Sequence, residues 1–257
     1  MPNRLRRFLL LWGLVSLLLL PAPAVLAVRG PQDVSRTVHN LSSDHGGLWD
    51  QYHSDNEDQV CIFCHTPHGG SLDGPLWNRS LPGHGFTHYT SDTLSSAVGA
   101  ATRPVGAESL LCLSCHDGSL ALNRIINNSL SGPPTINGGD TFMAFFAGIL
   151  GALIGNAPPF EEERHDLLTD DHPISFSYQS SQEALPEKLH SAADAMAAGV
   201  RFFGAGYQME CTSCHDPHVN YDSDIPESGD VTADERYRPF LITANTGSAL
   251  CLACHDK

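Results

Sequence analysis

Basic residues are scarce in this 257-residue chain, where 14 lysines and arginines stand against 29 aspartates and glutamates for a formal net charge of −15. Three of the 14, Arg4, Arg6 and Arg7, precede an apolar run from Phe8 to Leu20 and a Pro/Ala-rich stretch ending Val25-Leu26-Ala27. That order reads as a secretory signal over residues 1–27, cleaved after Ala27. The apolar run is about half of what a bilayer crossing needs, and Pro21 and Pro23 interrupt any extension of it, so no stable membrane span is expected after cleavage. So acidic a mature surface excludes nucleic acid and anionic lipid as natural partners. Long periodic apolar segments are missing too, while glycine and proline are plentiful at 23 and 17 residues. The chain's own side chains are too few for a large core, and something else has to fill the interior.

Unpaired cysteine is the third absence. The eight cysteines fall as four pairs, each followed at once by histidine: Cys61, Cys64 and His65; Cys112, Cys115 and His116; Cys211, Cys214 and His215; Cys251, Cys254 and His255. In an exported chain eight cysteines would ordinarily be a disulfide framework, and a single such pair could be a zinc site or a redox disulfide. Four identical motifs point elsewhere. Thiols about one helical turn apart can add across the two vinyl groups on one side of a porphyrin, and the next residue then lies under the ring as an imidazole ligand to iron. Four covalently attached haem c groups are therefore expected, held by the eight cysteines, with His65, His116, His215 and His255 as proximal ligands.

Ten histidines remain, and they decide the kind of site. Methionine, the other common distal ligand, is rare: beyond Met1 there are only Met143, Met196 and Met209. Histidine is thus expected as the sixth ligand throughout, which leaves iron no position for a substrate and makes the chain an electron carrier rather than an enzyme. The chain also contains an imperfect duplication. Cys61-Ile62-Phe63-Cys64-His65-Thr66-Pro67-His68 is matched by Cys211-Thr212-Ser213-Cys214-His215-Asp216-Pro217-His218, and Ser109-Leu110-Leu111-Cys112-Leu113-Ser114-Cys115-His116-Asp117 by Ser248-Ala249-Leu250-Cys251-Leu252-Ala253-Cys254-His255-Asp256. Each half adds an upstream histidine, His39 or His172. With His68 and His218 that makes four distal candidates for four irons. His68 and His218 lie only three residues beyond a proximal histidine, too close to wrap the ring edge, so each is expected to ligate a neighbouring haem. His45, His53, His84, His88, His165 and His190 read as surface residues or propionate contacts.

The expected architecture is mostly irregular with short α-helices and little or no sheet, a haem-cored fold of two tandem dihaem modules, residues 28–130 and 166–257. Between them, residues 131–165 form a Gly/Pro-rich connector whose apolar run, Phe142 to Ile154, is too short to span a membrane and has glycines spaced for close helix packing. A further short helix is expected around Leu185 to Val200.

The order His-Asn-Leu-Ser (39–42), Cys-x-x-Cys-His-Thr-Pro-His-Gly (61–69), Pro75-Leu76-Trp77-Asn78-Arg79, Cys-Leu-Ser-Cys-His-Asp-Gly (112–118), His-Pro-Ile-Ser-Phe (172–176), Cys-x-x-Cys-His-Asp-Pro-His (211–218) and a terminal Cys-Leu-x-Cys-His resembles the doubled-CXXCH multihaem cytochromes, above all the tetrahaem subunits of extracellular cytochrome nanowires of metal-reducing bacteria. Residues 131–163 have no counterpart in it. The resemblance implies bis-histidine haems in alternating parallel-stacked and T-shaped pairs, with His39, His68, His172 and His218 as distal ligands, in a homopolymer that carries electrons to redox partner proteins or extracellular acceptors. It also implies that the arm bearing His39 gives its imidazole to the adjacent subunit. Other readings are a monomeric periplasmic shuttle, a multihaem oxidoreductase, which would need an open iron position, and a membrane-anchored quinol dehydrogenase, which would need the N-terminal segment retained.

Overall fold

The computed structural model describes residues 30–44, 52–71, 74–136, 166–221 and 233–257. The expected signal sequence, the run Phe142 to Ile154, most of the expected connector, and His45, His165 and Met143 lie outside the described residues. What is described is mostly irregular chain carrying short helices: α1 Ala107–His116, α2 Tyr178–Ala184, α3 Ala192–Ala198 and α4 Ala249–Leu252. Sheet is minimal. β1 Thr87–His88 pairs in parallel with β2 Leu167–Leu168, and β3 Phe176–Ser177 pairs antiparallel with β4 Gln208–Met209.

The short helix expected around Leu185 to Val200 is α3, which starts later, at Ala192, and α2 precedes it. Pro186 bars Leu185 from helical backbone, so α2 stops at Ala184 and Leu185 turns away at φ −132. Ser191 then opens α3 by accepting the Asp194 N–H on its side chain. Gly199, left-handed at φ 115, closes it.

Among the described residues the buried apolar side chains fall into four separate clusters rather than one core. Leu110 and Leu113, one turn apart on α1, meet Phe86 and Leu168 beside the β1–β2 pair. Tyr178, Val200, Met209 and Leu250 gather α2 and the C-terminal motif around Val98 from the first half. With so little shared apolar burial, polar ties carry much of the joining. The Arg79 side chain is fully buried and donates to the carbonyls of Ser114, Ala121 and Leu122 at 3.1, 2.9 and 2.7 Å. Glu210, also buried, accepts from Ser109 at 2.5 Å and Ser175 at 2.9 Å, while Ser109 Oγ accepts the Cys211 N–H at 3.0 Å. That clamp fastens α1 to the third Cys-x-x-Cys-His motif. Gly106 must be glycine beside it, since a Cβ there would stand 2.1 Å from Glu210 Oε1.

The two halves are interleaved. Gln32 bridges to Val219, the Asp33 N–H donates to the His218 carbonyl at 2.9 Å, and the Asn220 N–H donates to that of Pro31 at 2.8 Å. The N-terminal arm therefore lies along the second half as an added strand.

Candidate functional site

Each motif is a single turn. In three of them the N–H of the histidine returns to the carbonyl of the first cysteine, at 2.8 Å for His65 to Cys61, 3.0 Å for His215 to Cys211 and 2.9 Å for His255 to Cys251. The second motif makes its turn as the last of α1. All four thus set two thiols and an imidazole on one short coil. All eight thiols are free, none joined to another. Burial pushes the Cys64 and Cys214 thiols up to about 12 and that of Cys254 up to about 11. Thiols so buried stay protonated at neutral pH. Cys112 and Cys211 share a hydrogen bond, which raises the pKa of Cys112 and lowers that of Cys211.

Opposite three of the four motif imidazoles stand others. His65 faces His218 with ring centres 6.3 Å apart and planes 10° from parallel. His39 meets His116 at 6.0 Å and 86°, and His172 meets His255 at 6.4 Å and 75°. An iron held by two imidazole nitrogens at about 2.0 Å each, with each nitrogen ~1.1 Å from its ring centre, would separate the centres by about 6.2 Å. The plane angle is free under such ligation, because each ring can turn about its metal–nitrogen bond. Hydrogen bonds also choose the nitrogen. The Nδ1 atoms of His65, His215 and His172 lie 2.8, 2.9 and 2.9 Å from the carbonyls of Pro75, Pro239 and Pro173, and that of His39 lies 3.4 Å from Pro217. A proton held there leaves the Nε2 lone pair for a metal. His39 is kept neutral, its pKa pushed down to about 3 by burial and by the neighbouring His116.

The donor set suits a macrocycle rather than a bare ion. Among the described residues no three His, Cys, Asp or Glu side chains converge to hold a metal alone. Paired imidazoles supply two axial donors and leave the equatorial four to come from elsewhere. Trp77 Nε1, on a ring 5.7 Å from that of His65, and Thr212 Oγ1, inside the third motif, are buried polar atoms without a protein partner, as expected where a ligand with carboxylate arms completes the site.

Six of the eight expected iron ligands are thus brought together in three pairs. His39 differs from the outward reach that the resemblance implied: it lies against His116 of its own chain and 4.3 Å from the Phe240 ring, because the strand-like pairing of residues 31–33 with 218–220 holds the arm inward. His218 crosses between halves to His65. His68 and His215 are not brought together: His68 is exposed, and the imidazole whose charge reaches His215, that of His116, is the one that already meets His39. Among the other histidines, His88 departs from a surface reading. It is buried in β1, its Nε2 3.0 Å from the Arg103 carbonyl, and burial lowers its pKa. His84 lies 3.5 Å from Asp117, and His53 lies 3.9 Å from Asp55.

No protein-family model matches this chain, and no curated protein matches it either.

Three features of the site escape sequence reading. The duplication extends to a receiving turn: residues 75–78 pair with 64–66, and residues 239–242 pair with 214–216, with Leu76 and Phe240 both left-handed at φ 56 and 55. Arg79 is a buried brace. Asp216 accepts from His218 Nδ1 at 2.7 Å and from both terminal nitrogens of Arg201 at 3.2 and 3.1 Å. Burial alone would raise its carboxyl, but the hydrogen bonds from His218 and Arg201 outweigh that and bring it down to about 2. The Asp-x-His spacing of 216–218 was the available signal.

Proposed function

We propose that this chain is an exported four-haem electron carrier whose copies join end to end outside the cell or at its surface. The observation that carries the reading is the set of three imidazole pairs with centres 6.0 to 6.4 Å apart, each with one member from a Cys-x-x-Cys-His motif. The eight cysteine thiols would hold haem c, which supplies one-electron iron chemistry when bound. His65, His116, His215 and His255 would be its proximal ligands and His39, His172 and His218 three of the distal ones. The carbonyls behind His39, His65, His172 and His215 and the carboxylate behind His218 keep those five rings in the metal-binding tautomer. Filled axial positions exclude small substrates, which favours electron transfer over catalysis.

The fourth distal ligand follows from the duplication. His218, in the second half, serves the first motif of the first half; its counterpart His68, in the first half, is exposed, and among the described residues it meets no motif imidazole and His215 has no ring paired with it alone. One translation satisfies both: His68 of one copy reaches His215 of the next. A contact of this kind is heterologous and need not close, so it propagates.

Intact mass is expected to exceed that of the polypeptide after residue 27 by four haems, and electron micrographs of the purified protein are expected to show filaments. A mass without haem would end the electron-carrier reading. Particles that stay single, with all four irons six-coordinate, would favour the periplasmic shuttle.

A further inference from the structure

We propose that Asp216 tunes the haem held between His65 and His218, keeping its reduction potential down by drawing the Nδ1 proton of His218 toward a carboxylate. The proposal rests on the electron-carrier reading and goes beyond it, since it distinguishes one haem from the other three by a residue that touches no iron.

The motivating contrast lies among the Nδ1 partners. His65, His215, His172 and His39 have neutral backbone carbonyls there. His218 alone among these has an anion, at 2.7 Å. The corresponding residue before the other Pro-His pair is Thr66, whose hydroxyl donates to the His68 carbonyl at 3.1 Å and offers its ring no charge. Asp216 is also firmly placed. It is 7% exposed; Oδ1 accepts both the N–H and the ring proton of His218, at 3.0 and 2.7 Å, and Oδ2 accepts from Arg201. A carboxylate behind a ligating imidazole raises the basicity of the ring, and outer partners of this kind tune metal sites strongly. A more electron-rich ligand favours ferric over ferrous iron. No bond is made or broken; the shared proton shifts along the hydrogen bond. Arg201 draws on the same carboxylate and tempers the effect, so the pair behaves as a graded device.

The test uses holoprotein and two variants, D216N and R201Q, read by redox titration and by electron paramagnetic resonance of the ferric state. The amide oxygen introduced by D216N would still accept the ring proton, so a purely structural role is preserved. In D216N one haem of four is expected to become easier to reduce, with roughly tenfold more of it ferrous at a fixed potential, equivalent to ~59 mV for a one-electron couple. The g-spread of that haem alone should widen. R201Q is expected to move both readouts the other way. Unmoved g-values in D216N, or a potential shift shared equally by all four haems, would overturn the assignment, since distant charge alone would then explain the result. Wild-type protein without a low-spin haem spectrum would sink the carrier reading itself and the assignment with it.

Discussion

The three imidazole pairs differ in the angle between their planes, and a ferric spectrum reads that angle. His65 and His218 are nearly coplanar at 10°, whereas the other two pairs stand at 86° and 75°. Coplanar axial rings split the iron orbitals rhombically, and crossed rings leave them almost degenerate. Frozen ferric protein is therefore expected to give one rhombic low-spin signal beside at least two with a single large g-value, and His218→Ala should abolish the rhombic one. Loss of a crossed-ring signal instead would contradict the pairing. Arg79 supports a different expectation. Replacing it with methionine would strand the carbonyls of Ser114 and Leu122 and leave that of Ala121 only the Arg124 N–H, and at ~1–3 kcal/mol for each stranded group, not fully additive, the loss should be about 3 kcal/mol. Chemical denaturation should show this while the haem count stays at four, because attachment depends on the cysteines.

At the scale of elements, the one-turn motifs and the scarcity of sheet were legible in the sequence because both follow from local residue types. The late start of α3 is legible in Pro186, which ends the preceding helix, and in Ser191, which caps the new one. The receiving turns were not legible: Pro75 lies ten residues after His65 while Pro239 lies twenty-four after His215, so no fixed period reveals them. Nor does a two-residue strand such as β1 carry any alternation to read, and its partner Leu167 is distant in sequence. The clamp on α1 is open to test. Gly106→Ala would drive a methyl into Glu210, and overpacking of this sort costs about 1–3 kcal/mol, visible as a lowered unfolding midpoint. Burial raises the Glu210 carboxyl pKa, so the native state holds its proton more tightly than the unfolded chain does. That stability is present below the ordinary carboxylate range, about 4.3, and is lost as pH rises through the raised native value. Glu210→Gln should accordingly gain on wild type as pH increases across that window; a difference independent of pH would show that the carboxyl is not perturbed.

For the whole molecule, the distribution of histidines separates internal sites from the proposed junction. His68→Ala is expected to yield single four-haem units, one iron open to carbon monoxide, with no filaments. His39→Ala should open an iron as well but leave filaments intact, because His39 lies on His116 of its own chain. Filaments that survive the first change and vanish with the second would reverse the two roles. The four one-turn Cys-x-x-Cys-His segments were all legible from the repeated motif. Which distal ring meets which proximal one was not, because the pairing joins residues far apart in sequence through the interleaving of the halves.

That interleaving has a consequence in time. A chain exported from its N-terminus presents Cys61, Cys64 and His65 first, yet the imidazole opposite His65 belongs to residue 218, which emerges only after three of the four motifs have begun to appear. The first haem to be attached would thus wait, one axial side bare, through most of the chain's passage. Assembly would finish close to where it started, and a translocation arrested before residue 218 should leave a reactive, carbon monoxide-binding iron at the oldest site in the molecule.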